Sequence, residues 1–171
     1  MRKLFIVTLF VCLGVVQAIA QSFTYTDANG KWTCTVLSAE EKTVSINRDF
    51  EPGQEVIIPS TVSDGTNEYK VTELYNSGSF FHYKQDGYDR AYNVKKVTLP
   101  EHLQSIGSQL FSDCNQLLVV ENTSHVKSVE SSAFYRCSSL QSVELPVCTS
   151  VGEYAFDCCS SLQTVDLPVC T

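Results

Sequence analysis

Three consecutive segments of this chain superimpose almost residue by residue, and that internal repeat constrains the fold more than any other feature. They are Val97 to Val119 (VTLPEHLQSIGSQLFSDCNQLLV), Val120 to Ser142 (VENTSHVKSVESSAFYRCSSLQS) and Val143 to Thr164 (VELPVCTSVGEYAFDCCSSLQT), with lengths of 23, 23 and 22. A fourth copy begins at Val165 as VDLPVCT. The same columns recur throughout: Phe111, Phe134, Phe156; Cys114, Cys137, Cys159; Leu117, Leu140, Leu162; Val120, Val143, Val165.

Within each copy the spacing predicts a short strand, a turn and an apolar cluster. Val143 and Leu145 are two apart, so they share one face of a strand while Glu144 points the other way. Pro146 follows at once and ends ladder pairing, as Pro100 and Pro168 do in their copies. Val151, Ala155 and Phe156 then have the spacing of one or two helical turns. No copy can bury these residues alone. Stacked coils can, with strands about 4.7–4.9 Å apart in a parallel sheet. The expected fold is a solenoid.

The runs SAFYRCSSLQSVELP (Ser132 to Pro146) and YAFDCCSSLQTVDLP (Tyr154 to Pro168) resemble the BspA-like leucine-rich repeats of bacterial and protist surface proteins. The clear match covers residues 94–171, and VIIPSTVSDGTNEYKVTEL (Val56 to Leu74) is similar to the way such arrays begin in exported Bacteroidetes proteins. The resemblance implies a leucine-rich-repeat solenoid of short parallel strands and short helical turns. It also implies secretion or surface display, binding to other proteins, matrix or neighbouring cells, and no catalysis. Two departures stand out. Asn122 occupies the column of Leu99, Leu145 and Leu167, facing inward, and Leu110 replaces the Ala of the Ala-Phe pair.

The first twenty residues set the expected compartment. Arg2 and Lys3 precede the apolar run Leu4 to Val16, and Ala18-Ile19-Ala20 supplies a small-x-small cleavage pattern. A membrane span needs about 20 apolar residues, so residues 1–20 read as a signal peptide. Its removal would leave no membrane span and would change the formal net charge from −7 to −9, because 10 Lys+Arg would face 19 Asp+Glu. Nucleic acid is disfavoured as a partner by that acidity. Export permits disulfides, and eight cysteines is a high count for 171 residues. Cys12 would leave with the signal peptide, however, and Cys114, Cys137 and Cys159 follow the repeat. They read as small buried hydrophobes, with disulfides between neighbouring copies disfavoured by parallel side-chain vectors. Cys148 and Cys170 form a second column with His102 and His125, without the paired C-x₂-C spacing of a zinc site. Asn122-Thr123-Ser124 is a sequon that an inward-facing Asn122 would leave unmodified.

Four segments follow from these signals. Residues 1–20 are the leader, 21–55 a β-rich cap, 56–96 a degenerate first coil with insertions, and 97–171 the repeats, the last incomplete. In the cap, Phe23 to Thr26 and Trp32 to Val36 alternate around the hairpin signal Asn29-Gly30. Thr43 to Ile46 and Glu55 to Ile58 are further strand candidates, and Ser63 to Lys70 reads as a second hairpin around Asp64-Gly65. Terminal repeats need a polar outer face, which such a sheet supplies. Aligning Phe80 with Phe134 leaves eight extra residues before Val94.

That insertion is the first candidate binding element. FFHYKQDGYDRAY (Phe80 to Tyr92) holds Phe81, Tyr83, Tyr88, Arg90 and Tyr92, and insertions in solenoids map to loops that often bind. Tyr and Arg are enriched at interface hot spots. The competing reading folds these aromatics back over the coil edges. The second candidate is the outward column of Thr98, Glu121, Glu144 and Asp166, three of them carboxylates stacked one strand apart. A cationic partner or calcium would relieve their repulsion, and plain solvation is the alternative.

No nucleophile signature, phosphate loop or HExxH motif accompanies His82, His102 and His125, so no enzyme activity, cofactor or metal is expected. The reading is an exported, non-enzymatic module binding an extracellular or surface protein. The alternative is a structural spacer of a larger surface protein. Thr171 falls seven residues into a repeat, so the last coil is expected to present an open edge, suited to edge-to-edge self-association.

Overall fold

The computed structural model describes residues 21–49, 51–74, 80–85, 88–91 and 93–167, with 82–85 and 88–91 described by their backbone alone. Residues 1–20, read above as a leader and including Cys12, lie outside the described residues, as do Tyr92, Cys170 and the end of the fourth copy.

The chain is a parallel-strand solenoid built from the expected columns. Strands β4 (Glu55–Ile57), β9 (Lys96–Thr98), β11 (Val119–Glu121), β13 (Ser142–Glu144) and β15 (Thr164–Asp166) occupy the same place in successive turns. β4, β9 and β11 pair in parallel, aligning Val56, Val97 and Val120; β13 and β15 do the same with Val143 and Val165. A second, two-residue ladder runs alongside: β10 (Ser105–Ile106), β12 (Ser128–Val129) and β14 (Ser150–Val151). Ile106 and Val129 are buried, while the serine column faces out. Each coil thus alternates inward apolar and outward polar residues, as period-2 strands require.

The third side of each coil is not helical, contrary to the expected helical turns; no helix occurs among the described residues. It is a chain of three-residue steps. Leu110 N–H donates to Gly107 O, Cys114 to Phe111 O and Leu117 to Cys114 O, and the next two coils repeat the pattern. The physical reason is two columns of left-handed residues. Gln109, Ser132 and Tyr154, and Asp113, Arg136 and Cys158, have φ between 57° and 59°. Each such residue interrupts helix propagation at a cost of about 1–2 kcal/mol. What it gains is direction: the amides turn along the solenoid axis. Phe111 N–H bonds Ala133 O (2.8 Å), Asp113 N–H bonds Tyr135 O (2.7 Å), and Phe134 and Arg136 repeat this toward Ala155 O and Asp157 O. A helix would have consumed these donors internally.

The core is a stack of identical side chains. Phe81, Phe111, Phe134 and Phe156 lie nearly parallel, with ring centroids 5.6, 5.1 and 5.2 Å apart. The column residue of the first coil is therefore Phe81, not Phe80, which corrects the alignment above. Phe81 lies 13 residues before Val94, against 6 from Phe111 to Leu117, so the insertion is seven residues. Phe80 instead meets Phe81 edge-on and Trp32 beyond it.

Trp32 belongs to a five-stranded sheet ordered β1-β2-β3-β6-β5, from β1 (Ser22–Thr26), β2 (Lys31–Ser38), β3 (Thr43–Arg48), β5 (Thr61–Ser63) and β6 (Glu68–Leu74). Of the stretch 56–96, β4 therefore lies in the solenoid stack, while β5 and β6 complete this sheet. Both predicted hairpins form. Asp27 accepts from Asn29 and Gly30 in the first turn, and Asp64 accepts from Thr66 and Asn67 in the second. Trp32, Cys34, Val44 and Ile46 are fully buried and continuous with the solenoid core.

Asn122 does not face inward. It sits exposed with φ 60°, and Thr123 takes the buried place of the leucine column. An Asn tolerates the left-handed backbone better than Leu, and a carboxamide is costly to bury. The swing breaks the backbone pairing between β11 and β13. The Thr123 side chain bridges the gap, its Oγ1 donating to Glu144 O, while Asn122 Nδ2 reaches back to the preceding coil and donates to Leu99 O (2.7 Å).

Candidate interaction surface

The seven-residue insertion folds as a hairpin of its own. β7 (His82–Gln85) pairs antiparallel with β8 (Tyr88–Ala91), and the two form a separate two-stranded sheet. Phe81, the last residue before it, is fully buried against Phe111, so the hairpin grows directly out of the core stack. Arg48 Nε donates to Phe80 O (2.6 Å), fixing the chain just upstream. The register pairs Tyr83 with Arg90 and Gln85 with Tyr88. Paired residues share a face, and alternate residues along a strand share it too. Tyr83, Gln85, Tyr88 and Arg90 therefore occupy one face of the hairpin, and His82, Lys84, Asp89 and Ala91 the other.

Of the residues expected to bind, Phe81 is corrected outright: it is a core residue with no exposed surface. Tyr83, Tyr88 and Arg90 are brought onto one hairpin face by register, and Tyr92 lies outside the described residues.

The outward column of the strands is less uniform than expected. It runs Ile57, Thr98, Glu121, then Glu144 and Asp166. Glu121 is engaged: Lys96 Nζ approaches to 2.8 Å and the Thr98 hydroxyl donates at 3.2 Å. The hydrogen bond from Lys96 holds the Glu121 carboxyl below its usual range, and Lys96 is raised by the same partner. Glu144 and Asp166 are paired one strand apart and exposed. The break at Asn122 separates them from Glu121. The three-carboxylate column thus resolves into one neutralised residue and one open pair. Among the described residues no group of three or more His, Cys, Asp or Glu is placed to hold a metal ion.

The thiol column behaves as a buried file of small side chains. Cys137 and Cys159 each donate to the carbonyl of the preceding coil's phenylalanine, Phe111 O and Phe134 O, both at 3.0 Å. Burial pushes the Cys114 and Cys34 thiols up to about 12. Contact with Cys159 and burial raise Cys137, while contact with Cys137 lowers Cys159. Cys34, Cys114, Cys137, Cys158 and Cys159 are free thiols, Cys158 exposed and Cys159 half-buried. The buried Cys34, Cys114 and Cys137 are inert until the structure around them opens.

One exposed feature escaped the sequence reading. Tyr154 stands 67% exposed on a left-handed backbone, at the corner that Gln109 and Ser132 occupy in earlier coils. Arg136, at the other corner, lies 5.0 Å over the Tyr135 ring and 3.7 Å from Asp113. The Asp at 113 was the one available signal, because Asp tolerates this backbone; Arg136, Tyr154 and Cys158 do not announce it.

Comparison with known proteins returns the same architecture. The family model described as "BspA type Leucine rich repeat region (6 copies)" matches residues 84–170. Among curated proteins none matches the chain. A leucine-rich repeat protein from Bacteroides capillosus superimposes with a TM-score of 0.64 at 23% identity, covering 84% of this chain and 96% of that one. A leucine rich cell surface protein from Faecalibacterium prausnitzii gives 0.58 at 28% identity, covering 85% of this chain and 43% of that one. The pneumococcal vaccine antigen PcpA gives 0.59 at 17% identity, covering 84% and 37%. The chain therefore spans nearly the whole of the first protein and less than half of the other two. The first and third, under 25% identical, bear on the fold alone.

Proposed function

Because the chain belongs to the BspA-type leucine-rich-repeat family, we propose that it is an exported, non-enzymatic module that binds an extracellular or surface protein. The observation that carries this reading is the β7–β8 hairpin. It interrupts an otherwise regular array, forms a sheet of its own, and gathers Tyr83, Tyr88 and Arg90 on one face. Repeat arrays place binding insertions on one side of the coil, and Tyr and Arg are the residues most able to anchor a protein interface. The exposed pair Glu144 and Asp166 offers a second, electrostatic contact that favours partners carrying Lys or Arg.

Export is supported by the leader pattern of residues 1–20 and by the surface origin of the F. prausnitzii relative. The five-stranded sheet serves as the array's N-terminal cap, since it meets the Phe stack through Trp32 and turns a polar face outward.

Removing residues 84–90 restores the six-residue spacing from phenylalanine to the next strand and deletes the hairpin alone. Surface plasmon resonance against immobilised fibronectin, laminin and collagen should show saturable binding for the intact chain. The deletion variant, with unchanged circular dichroism, should lose about tenfold or more in affinity. Undiminished binding by a folded deletion variant would sink the hairpin assignment. Absence of saturable binding by the intact chain would favour the spacer reading.

A further inference from the structure

The Asn29-Gly30 pair is the sequence in which spontaneous deamidation is least hindered, since glycine has no side chain to obstruct attack by its own amide. Here that pair lies at the tip of the β1–β2 hairpin, and the folded tip holds every participating atom in place. Gly30 N–H, the nucleophile once deprotonated, is hydrogen-bonded to Asp27 Oδ1 (3.1 Å). Asn29 N–H is held by the same oxygen (2.8 Å). The Asn29 carboxamide donates to Asp27 Oδ2 (3.3 Å) and, across 28 residues, to the carbonyl of Ile57 (3.2 Å). The last bond ties the hairpin tip to β4, the first strand of the solenoid stack.

We propose that Asn29-Gly30 is a deamidation site held closed by Asp27 and by docking on β4, and that its conversion unpins the β1–β2 hairpin tip from the first coil. In the reaction the Gly30 nitrogen attacks Asn29 Cγ, and the carboxamide nitrogen leaves as ammonia, carrying the displaced proton. Water opens the resulting succinimide at either carbonyl, giving aspartate or isoaspartate. No oxidant, metal or cofactor enters. In the folded tip two conditions fail. The Asp27 carboxylate opposes loss of the Gly30 amide proton, and the bonded carboxamide cannot turn its carbon toward Gly30. After conversion the Ile57 carbonyl loses its donor and faces a carboxylate instead, beside Asp27. Both changes disfavour docking.

The test follows the one-dalton gain on the peptide ending at Lys31, by mass spectrometry, in mildly alkaline buffer. The folded protein should deamidate about tenfold or more slowly than the same chain in urea, because reaction requires local opening. Asp27→Ala should accelerate the folded protein several-fold, with its melting curve recorded alongside. Equal rates for folded and unfolded wild type would overturn the proposal, and so would an Asp27→Ala rate equal to wild type. Asn29→Asp tests the consequence independently. It should raise hydrogen exchange at residues 26–31 and 55–58 relative to wild type; unchanged protection at both segments would overturn the unpinning.

Discussion

The coils from Val94 to Leu167 and the N-terminal sheet bury equally apolar residues, but they are stabilised by different means. In the coils, a residue's environment is its own copy one turn away: Phe134 lies between Phe111 and Phe156, and Cys137 between Cys114 and Cys159. In the sheet, antiparallel neighbours differ, and the turns are closed locally by Asp27 and Asp64. A periodic array transmits a defect to both neighbours, whereas a hairpin confines it. The difference predicts where substitutions cost most.

The largest contrast should come from the aromatic residues. Phe134→Ala removes a ring stacked on both faces and should cost about 3–5 kcal/mol in urea denaturation. Phe23, half-buried against Tyr69 in the sheet at 5.3 Å, should cost about 1 kcal/mol when replaced by Ala. Equal costs would remove the distinction between the two regions.

A sharper comparison sits within one column. A Cβ on Gly152 would fall 2.5 Å from Ser131 N, on the backbone of the coil beneath. On Gly107, the equivalent position, it would meet nothing within 4 Å. Gly152→Ala should therefore destabilise by about 1–3 kcal/mol. Gly107→Ala should stay within about 0.5 kcal/mol of wild type. Matched melting curves would show that the coils do not approach each other as described.

The smallest effect separates the regions by pH. Partial burial raises the Asp64 carboxyl, but the hydrogen bonds from Asn67, Thr66 and Tyr69 outweigh it and hold the group below its ordinary value. A depressed folded value contributes stability above the unfolded pKa, and that contribution disappears as pH falls through the folded one. Asp64→Asn should therefore melt below wild type at neutral pH, and the gap should close as pH falls below the ordinary value of 3.8 and through the depressed folded one. A gap that persists in acid would assign the loss to geometry instead of charge.

The legible part of this molecule was its period. Val97, Val120, Val143 and Val165, the Phe column and the Cys column recur every 22–23 residues, and identical apolar residues at a fixed interval have no way to leave water except by stacking. Both hairpins of the sheet were legible as well, because Asn-Gly and Asp-Gly carry their turn chemistry locally. The hairpin face was only half visible. Tyr83, Tyr88 and Arg90 could be named, but their sharing a face depends on β7–β8 register, and Phe81 could be told from Phe80 only by which ring reaches Phe111.

Composition and spacing alone therefore determined a stacked array with inward Val, Leu, Phe and Cys files. Tertiary structure decided what each file's neighbours do with their backbone. The helical spacing of Val151, Ala155 and Phe156 became left-handed corners, because amides aimed at the next coil satisfy more of the array than amides spent within one turn. Asn122 turned outward and left Thr123 to bridge the strands, because a carboxamide in the leucine file would have been buried with no partner assured. Such choices depend on contacts one coil away, 22 or 23 residues distant in sequence, where local propensity carries no information.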